Sequence, residues 1–277
     1  MRSVAVIAFT LCASLLAAQA EWPKPKWETV EKLRCPVQGE GTVALASYRL
    51  RLARAVQDNI HCTADLVDAA GKETELLEGA AISVYEGTGK DVFGDGSPSI
   101  ILQDFSGGTE PRYTYKIVNL SEPPVVLPAI ENEAPFYFFQ DTASHSYRIM
   151  TTDGGFHNFD GMCFDCSPFP RVVLRADKDG LHDVSADFVE QYNSEIALAR
   201  AKIGEGGIAK FLEADFRDAR NVVLEIVFAY LYSGREAEAW QTLDQMWPAK
   251  DRERVKSLIV KTHAEGLLSK LAKTRPR

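Results

Sequence analysis

The chain has 277 residues, 45% of them hydrophobic, and carries 31 basic against 39 acidic side chains, a net charge of −8. An acidic body argues against nucleic acid as the main partner, because phosphate recognition needs cationic surface. Beyond the leader, no segment supplies the roughly 20 consecutive apolar residues that a membrane-crossing helix requires.

Residues 1–20 combine one basic residue, Arg2, an apolar run from Val4 to Leu16, and Ala18-Gln19-Ala20 at the end. This is the pattern of a secretory signal with a small-residue cleavage site, so the mature chain is expected to start at Glu21 in a periplasmic or secreted location. Cys12 follows Phe9-Thr10-Leu11, a poor match to the small residues that precede a lipid-modified cysteine. Without the leader the net charge is about −9, unevenly spread: −10 over residues 21–185 and +1 over residues 186–277. That contrast predicts two differently built regions. Residues 21–41, with Pro23, Pro25 and Pro36, are expected to be an extended entry segment with one helical turn at Trp27 to Leu33.

Residues 42–185 read as an all-β domain, sandwich-like or open, with blade-like antiparallel sheets. Tyr113-Thr114-Tyr115-Lys116-Ile117 alternates as a half-buried strand does, and Ser99-Ile100-Ile101-Leu102 is a largely apolar run typical of a strand covered on both faces. Turn signals at Ala70-Gly71-Lys72, Gly94-Asp95-Gly96, Gly107-Gly108, Asp153-Gly154-Gly155 and Lys178-Asp179-Gly180 separate the strands. The aromatics of "YTYK" and "FYFF" are spaced for sheet faces and hence for core packing. Four cysteines lie beyond the leader, Cys35, Cys62, Cys163 and Cys166. In an exported protein an even count reads as a disulfide framework. Three pairings are possible, and proximity favours Cys35 with Cys62 and Cys163 with Cys166.

Within this region "DVFGDGSPSIILQ" places Asp91, Asp95, Ser97 and Ser99 at alternating positions of a tight loop, with Gly96 allowing the sharp turn. Oxygens so arranged can converge on a hard cation. The stretch resembles the calcium loop of the FG-GAP and VCBS repeat family, whose units are strand-rich blades of β-propellers. Phe93 and Ser99 stand where that family has acidic or amide ligands, which predicts a turn that keeps the glycine geometry with weakened calcium binding. A second copy is aligned at "FFQDTASHSYRIMTTDGG", with Asp141 under Asp91 and His145-Ser146 in place of Asp95-Gly96, so that the resemblance covers about residues 80–180. Two units of this size cannot close a propeller.

Cys163 and Cys166 flank "CFDC", a spacing that serves dithiol oxidoreductases when the first sulfur heads a helix. Pro168 and Pro170, followed by the strand "RVVLR", argue against such a helix and for a structural disulfide. His61, His145, His157, His182 and His263 are scattered. One cluster, Phe156, His157, Phe159 and Asp160, sits on a predicted loop, where binding residues concentrate. A hydrophobic loop anchor explains it as well.

From Ser185 the period becomes helical. Phe188, Tyr192, Ile196, Ala199 and Ile203 share one face, with Ser185 or Asp187 as the expected cap and Gly204 as the stop. Further helices are expected from Ile208 to Tyr232, over "REAEAWQTLDQMW" up to Pro248, and from Asp251 to Leu271, making residues 186–272 an α-helical domain with a basic tail at 273–277. Gly234, Ala239 and Leu243 have the spacing of a tetratricopeptide helical hairpin, and the resemblance spans about residues 219–248. The fold class is therefore α+β. The expected function is that of an exported, non-catalytic envelope protein acting as an interaction or ligand-binding module toward an unknown protein or surface ligand. The alternatives are a hydrolase or thiol-redox enzyme built near His157, Asp160, Cys163 and Cys166, and a calcium-stabilised adhesion module.

Overall fold

Alternation and turn chemistry divide the first part of the chain into three antiparallel meanders. The structure is a computed structural model that describes residues 20–24, 33–54, 61–204, 207–209 and 216–274. The expected signal segment, save Ala20, most of the expected turn at Trp27 to Leu33 and the last three residues of the basic tail lie outside the described residues.

Sheet one comprises β1 (Gly39–Leu45), β2 (Tyr48–Arg54), β3 (Cys62–Val67) and β4 (Glu73–Gly79). Sheet two comprises β5 (Ser83–Val84), β6 (Ser99–Phe105), β7 (Tyr113–Asn119) and β8 (Val125–Val126), with β9 (Ile130–Asn132) also paired to β7. Sheet three comprises β10 (Tyr137–Gln140), β11 (Tyr147–Thr152), β12 (Arg171–Asp177) and β13 (Gly180–Asp183). All pairings between these strands are antiparallel. Among the described residues the helices that follow include α1 (Val189–Ile203), α2 (Phe216–Tyr232), α3 (Glu236–Met246), α4 (Arg252–Glu265) and α5 (Leu267–Thr274). The α+β class expected from the sequence is the observed one. Among the described residues no helix is long and apolar enough to cross a membrane.

Sheet two is the middle layer, and this accounts for its apolar runs. Ile100, Leu102 and Val118 turn to sheet one and join Leu50, Leu52 and Leu66 in one cluster. Ile101, Tyr115 and Ile117 turn the other way and join Phe136, Ile149, Val172 and the helices in a larger one. Because side chains alternate across a strand, a strand buried on both faces has no polar face to display. On β2, by contrast, Leu50 and Leu52 point inward while Arg51 pairs with Asp65 and Glu73 on the open side. Tyr115 joins the second and third sheets. Its ring lies 4.1 Å from that of Phe136, and its hydroxyl accepts from the Phe136 backbone N–H at 2.9 Å.

The entry segment adds to the edge of sheet two: Cys35 N–H donates to Ile82 O, and Val84 N–H donates to Leu33 O, both at 2.8 Å. Both expected cysteine pairings are present, Cys35 with Cys62 and Cys163 with Cys166.

Two expectations about the helices need correction. Neither Ser185 nor Asp187 caps α1, which is preceded by a 3-10 turn over Ser185–Phe188; the Ser185 hydroxyl instead accepts from the Val173 N–H at 2.9 Å and ties the turn to β12. The last helix is not continuous either. It breaks at Gly266 between α4 and α5, and the cause lies in a buried side chain described below. The hairpin of α2 and α3 is present, turned at Gly234 with φ 79°, and both Ala239 and Leu243 are fully buried.

The Cys35–Cys62 link closes a loop of sequence separation 27, for which the chain-entropy relation gives about 3.5 kcal/mol. Replacing both residues by Ser, with Cys163 and Cys166 intact, is expected to lower the unfolding free energy by about that amount in urea titrations. A loss under about 1 kcal/mol would mean that the entry segment is held without it.

Candidate functional site

The turn after β11 carries the residues through which strands and helices meet. Asp153 has no exposed surface. One of its carboxylate oxygens, Oδ1, accepts from Gly155 N–H at 2.9 Å and from Leu267 N–H at 3.0 Å, and the other accepts from the Tyr232 hydroxyl at 2.7 Å. Its own N–H donates to Pro170 O at 2.8 Å. One acidic side chain thus joins the 3-10 turn Gly154–Phe156, the end of α2 and the start of α5. Burial, followed by the charge of Asp153, holds the Tyr232 phenol well above its ordinary range. The last helix breaks here because Leu267 N–H, which an unbroken helix would give to His263 O, goes to Asp153 instead; Gly266 leaves room for the carboxylate, on which a Cβ would intrude, and a Cβ on Gly155 would come 3.2 Å from the Gly266 Cα. The "DGG" signal therefore marks a close backbone approach as well as a turn.

Of the four residues expected on a binding loop, two are inside the core. Phe156 is fully buried and lies 4.5 Å from the Phe228 ring, and Phe159 packs 5.5 Å from Phe156. The anchor reading describes these two. Asp160, in the left-handed region at φ 52°, accepts from both terminal nitrogens of Arg254, at 2.6 and 2.9 Å, and from Arg220. Those guanidinium partners, Arg254 foremost, hold its carboxyl below the usual carboxylate range. His157 is held edge-on between Phe164 at 4.2 Å and Phe169 at 4.9 Å, with Nδ1 3.2 Å from Glu133. Desolvation lowers its pKa, opposed by Glu133. It lines a polar hollow of about 180 Å³ with Glu133, Arg112 and Glu110, to which Asp160 does not contribute. His157 and Asp160 are thus engaged by different partners, Glu133 and the two arginines.

The Cys163–Cys166 loop is a 3-10 turn over Phe164–Cys166 that leads directly into extended chain and β12. The Ser167 hydroxyl donates to Cys163 O at 2.9 Å, and Asn221 donates to Cys166 O at 2.7 Å, so the loop is moored to α2.

In the calcium-like loop, Asp91 accepts from the N–H groups of Gly94, Asp95 and Gly96, at 2.6, 3.1 and 2.8 Å. Asp95 accepts from Ser97 N–H at 2.9 Å and from the Asn119 side chain at 2.5 Å. Ser99 is buried, its hydroxyl 3.4 Å from Val92 N. The loop brings Asp91 and Asp95 together and occupies their oxygens with hydrogen-bond donors. Among the described residues, no group of three or more His, Cys, Asp or Glu side chains is placed to hold a metal.

A larger feature is absent from the motifs. Between Pro168-Phe169-Pro170 and the facing sides of α1 and α2 lies a cleft of about 610 Å³. Phe169, Leu198, Ala199 and Phe228 make its apolar surface, and Leu198 is 56% exposed. At the rim, Arg171 pairs with Glu195, and Lys202 pairs with Glu225 at 2.7 Å. Both hydroxyls in the lining serve the fold, Ser167 as above and Tyr192 by donating to Arg171 O at 2.8 Å. The one hint in the sequence is Leu198, an apolar residue off the face that Tyr192, Ile196 and Ala199 define. Comparison of the chain with protein-family models, with curated proteins and with solved structures finds no match.

Asp153→Ala is expected to cost about 3 kcal/mol, because the Tyr232 hydroxyl and Leu267 N–H lose a buried acceptor. Gly266→Ala should act in the same direction, and calorimetry on both variants reads the loss; an unchanged melting temperature for Asp153→Ala would dismiss the pin. His157 supplies a separate test. Its folded pKa lies below the unfolded value of about 6.5, so its contribution is present above that pH and is lost as pH falls. The lowered carboxyls of Asp141, Asp160, Asp177 and Asp251 respond only near and below about pH 4. Unfolding titrations between about pH 7 and 5 should therefore show wild-type stability falling and His157→Gln nearly flat.

Proposed function

We propose that this protein is an exported, non-catalytic binding module of the bacterial envelope, and that its ligand seat is the cleft between residues 168–171, α1 and α2. The observation that carries this reading is the make-up of the cleft. Exposed Phe169 and Leu198 form an apolar surface of a size ordinary for ligand sites, rimmed by charges that already neutralise one another. With Ser167 and Tyr192 committed to backbone carbonyls, the lining is equipped to hold a ligand more than to transform it. The two disulfides fit an oxidising compartment, the only setting in which such bonds ordinarily persist.

The kinship with FG-GAP and VCBS repeats belongs to the same proposal. It is supported by the turn before the second strand of sheets two and three. There Asp91 accepts from Gly94, Asp95 and Gly96, and Asp141 accepts from Ala143 N–H at 3.1 Å and the Ser144 hydroxyl at 2.5 Å. In both turns an aspartate accepts donors from the residues just after it, at i+3 to i+5 for Asp91 and at i+2 and i+3 for Asp141.

Expression of the full chain in a Gram-negative host should yield periplasmic protein beginning at Glu21, measured by fractionation and intact mass. That protein should bind the apolar dye anilinonaphthalene sulfonate saturably, with affinity reduced at least about tenfold by Leu198→Glu. Retention in the cytoplasm, or turnover on ester, peptide or disulfide substrates abolished by His157→Ala, would defeat the reading.

A further inference from the structure

We infer that the cleft takes an extended, uncharged peptide segment bearing an aromatic or large aliphatic side chain, an inference that rests on the binding reading above. The chain itself shows what the surface next to the cleft accepts. Trp22, in the segment 20–24, sits edge-on to Tyr192 at 4.9 Å and stacks on Phe188 at 6.2 Å, with the Arg171 guanidinium 5.5 Å from its ring centroid. Tyr192 and Arg171 also line the cleft. The Trp22 seat therefore adjoins the cleft through these two side chains, and a Trp-Pro segment of the chain already packs beside it.

The rest of the surface suits a segment of the same kind. Its wall is Pro168-Phe169-Pro170, a rigid, largely apolar edge with an exposed ring, comparable to the proline and aromatic linings that receive extended peptides elsewhere. Asn221, also in the lining, donates its side-chain N–H to Cys166 O and so fixes this wall to α2. Arg171 with Glu195 and Lys202 with Glu225 cancel at the rim, so the surface offers a charged ligand no unpaired counter-charge. A strongly anionic or cationic segment would have to break one of these pairs.

The test is selection of displayed random peptides on the immobilised full-length processed protein, with the Leu198→Glu variant as counter-target. Synthetic copies of the selected peptides are then titrated by fluorescence polarisation. Uncharged sequences centred on an aromatic or large aliphatic residue are expected, with binding weakened at least about tenfold by Leu198→Glu and by Phe169→Ser. Melting temperatures of both variants must match wild type, and Phe169→Ser serves if Leu198→Glu does not fold. Selection that enriches nothing over the counter-target, or peptides indifferent to both variants, overturns the inference. If the apolar dye still binds in a Leu198-dependent way while peptides do not, the cleft is a small-molecule seat, and only the peptide inference falls. If neither binds, the binding reading falls with it.

Discussion

The architecture depends on the desolvated carboxylate of Asp153. Burying such a group costs several kcal/mol, and the cost is offset only when its acceptor capacity is filled by good donors. Here the donors come from three places in the chain: the N–H of Gly155, the hydroxyl of Tyr232 and the N–H of Leu267. The group stabilises the structure only when β11, α2 and α5 are all in place, which couples the strand region to the helices. The glycines at 155 and 266 follow from the same requirement, since any side chain there would compete with the carboxylate for space.

Around this point the molecule is built in layers that share apolar surface. Sheet two is covered on both faces, and the larger cluster runs without interruption from Ile101 and Tyr115 through Val172 and Phe156 to Phe228 and Leu243. Strands and helices form a continuous core although their sequence periods and net charges differ. Arg254 and Arg220, from α4 and α2, converge on Asp160 at the edge of the same turn and reinforce the junction from the solvent side. Of the two disulfides, one joins the entry segment to β3 and the other closes the turn that precedes β12.

This economy shapes what remains for function. Asp160 is engaged by arginines, Asp91 and Asp95 by their own loop, and Ser167 by a backbone carbonyl, so the groups that stand out in the sequence as reactive are largely committed to the fold. What is left open is apolar, Phe169 and Leu198 beside α1 and α2. A surface of that composition favours shape over charge.

By itself the sequence determined the elements whose causes are local. The alternation in "YTYK", the double-sided run "SIIL", the turns at Gly94 to Gly96 and Gly234, and the change of period near residue 185 each follow from backbone and side-chain geometry within a few residues. Cysteine proximity pointed to both disulfides for the same reason. Tertiary structure alone decided the break at Gly266, the role of Ser185 as a tether to β12, and the burial of Phe156 and Phe159, because each depends on a partner far away along the chain. The cleft belongs with these. Pro168, Leu198 and Phe228 have no common motif, and only the packing of α1 and α2 beside β12 brings them to one surface. A local period can report which face of an element is apolar, but not which distant face will be laid against it or where the fit will leave a gap.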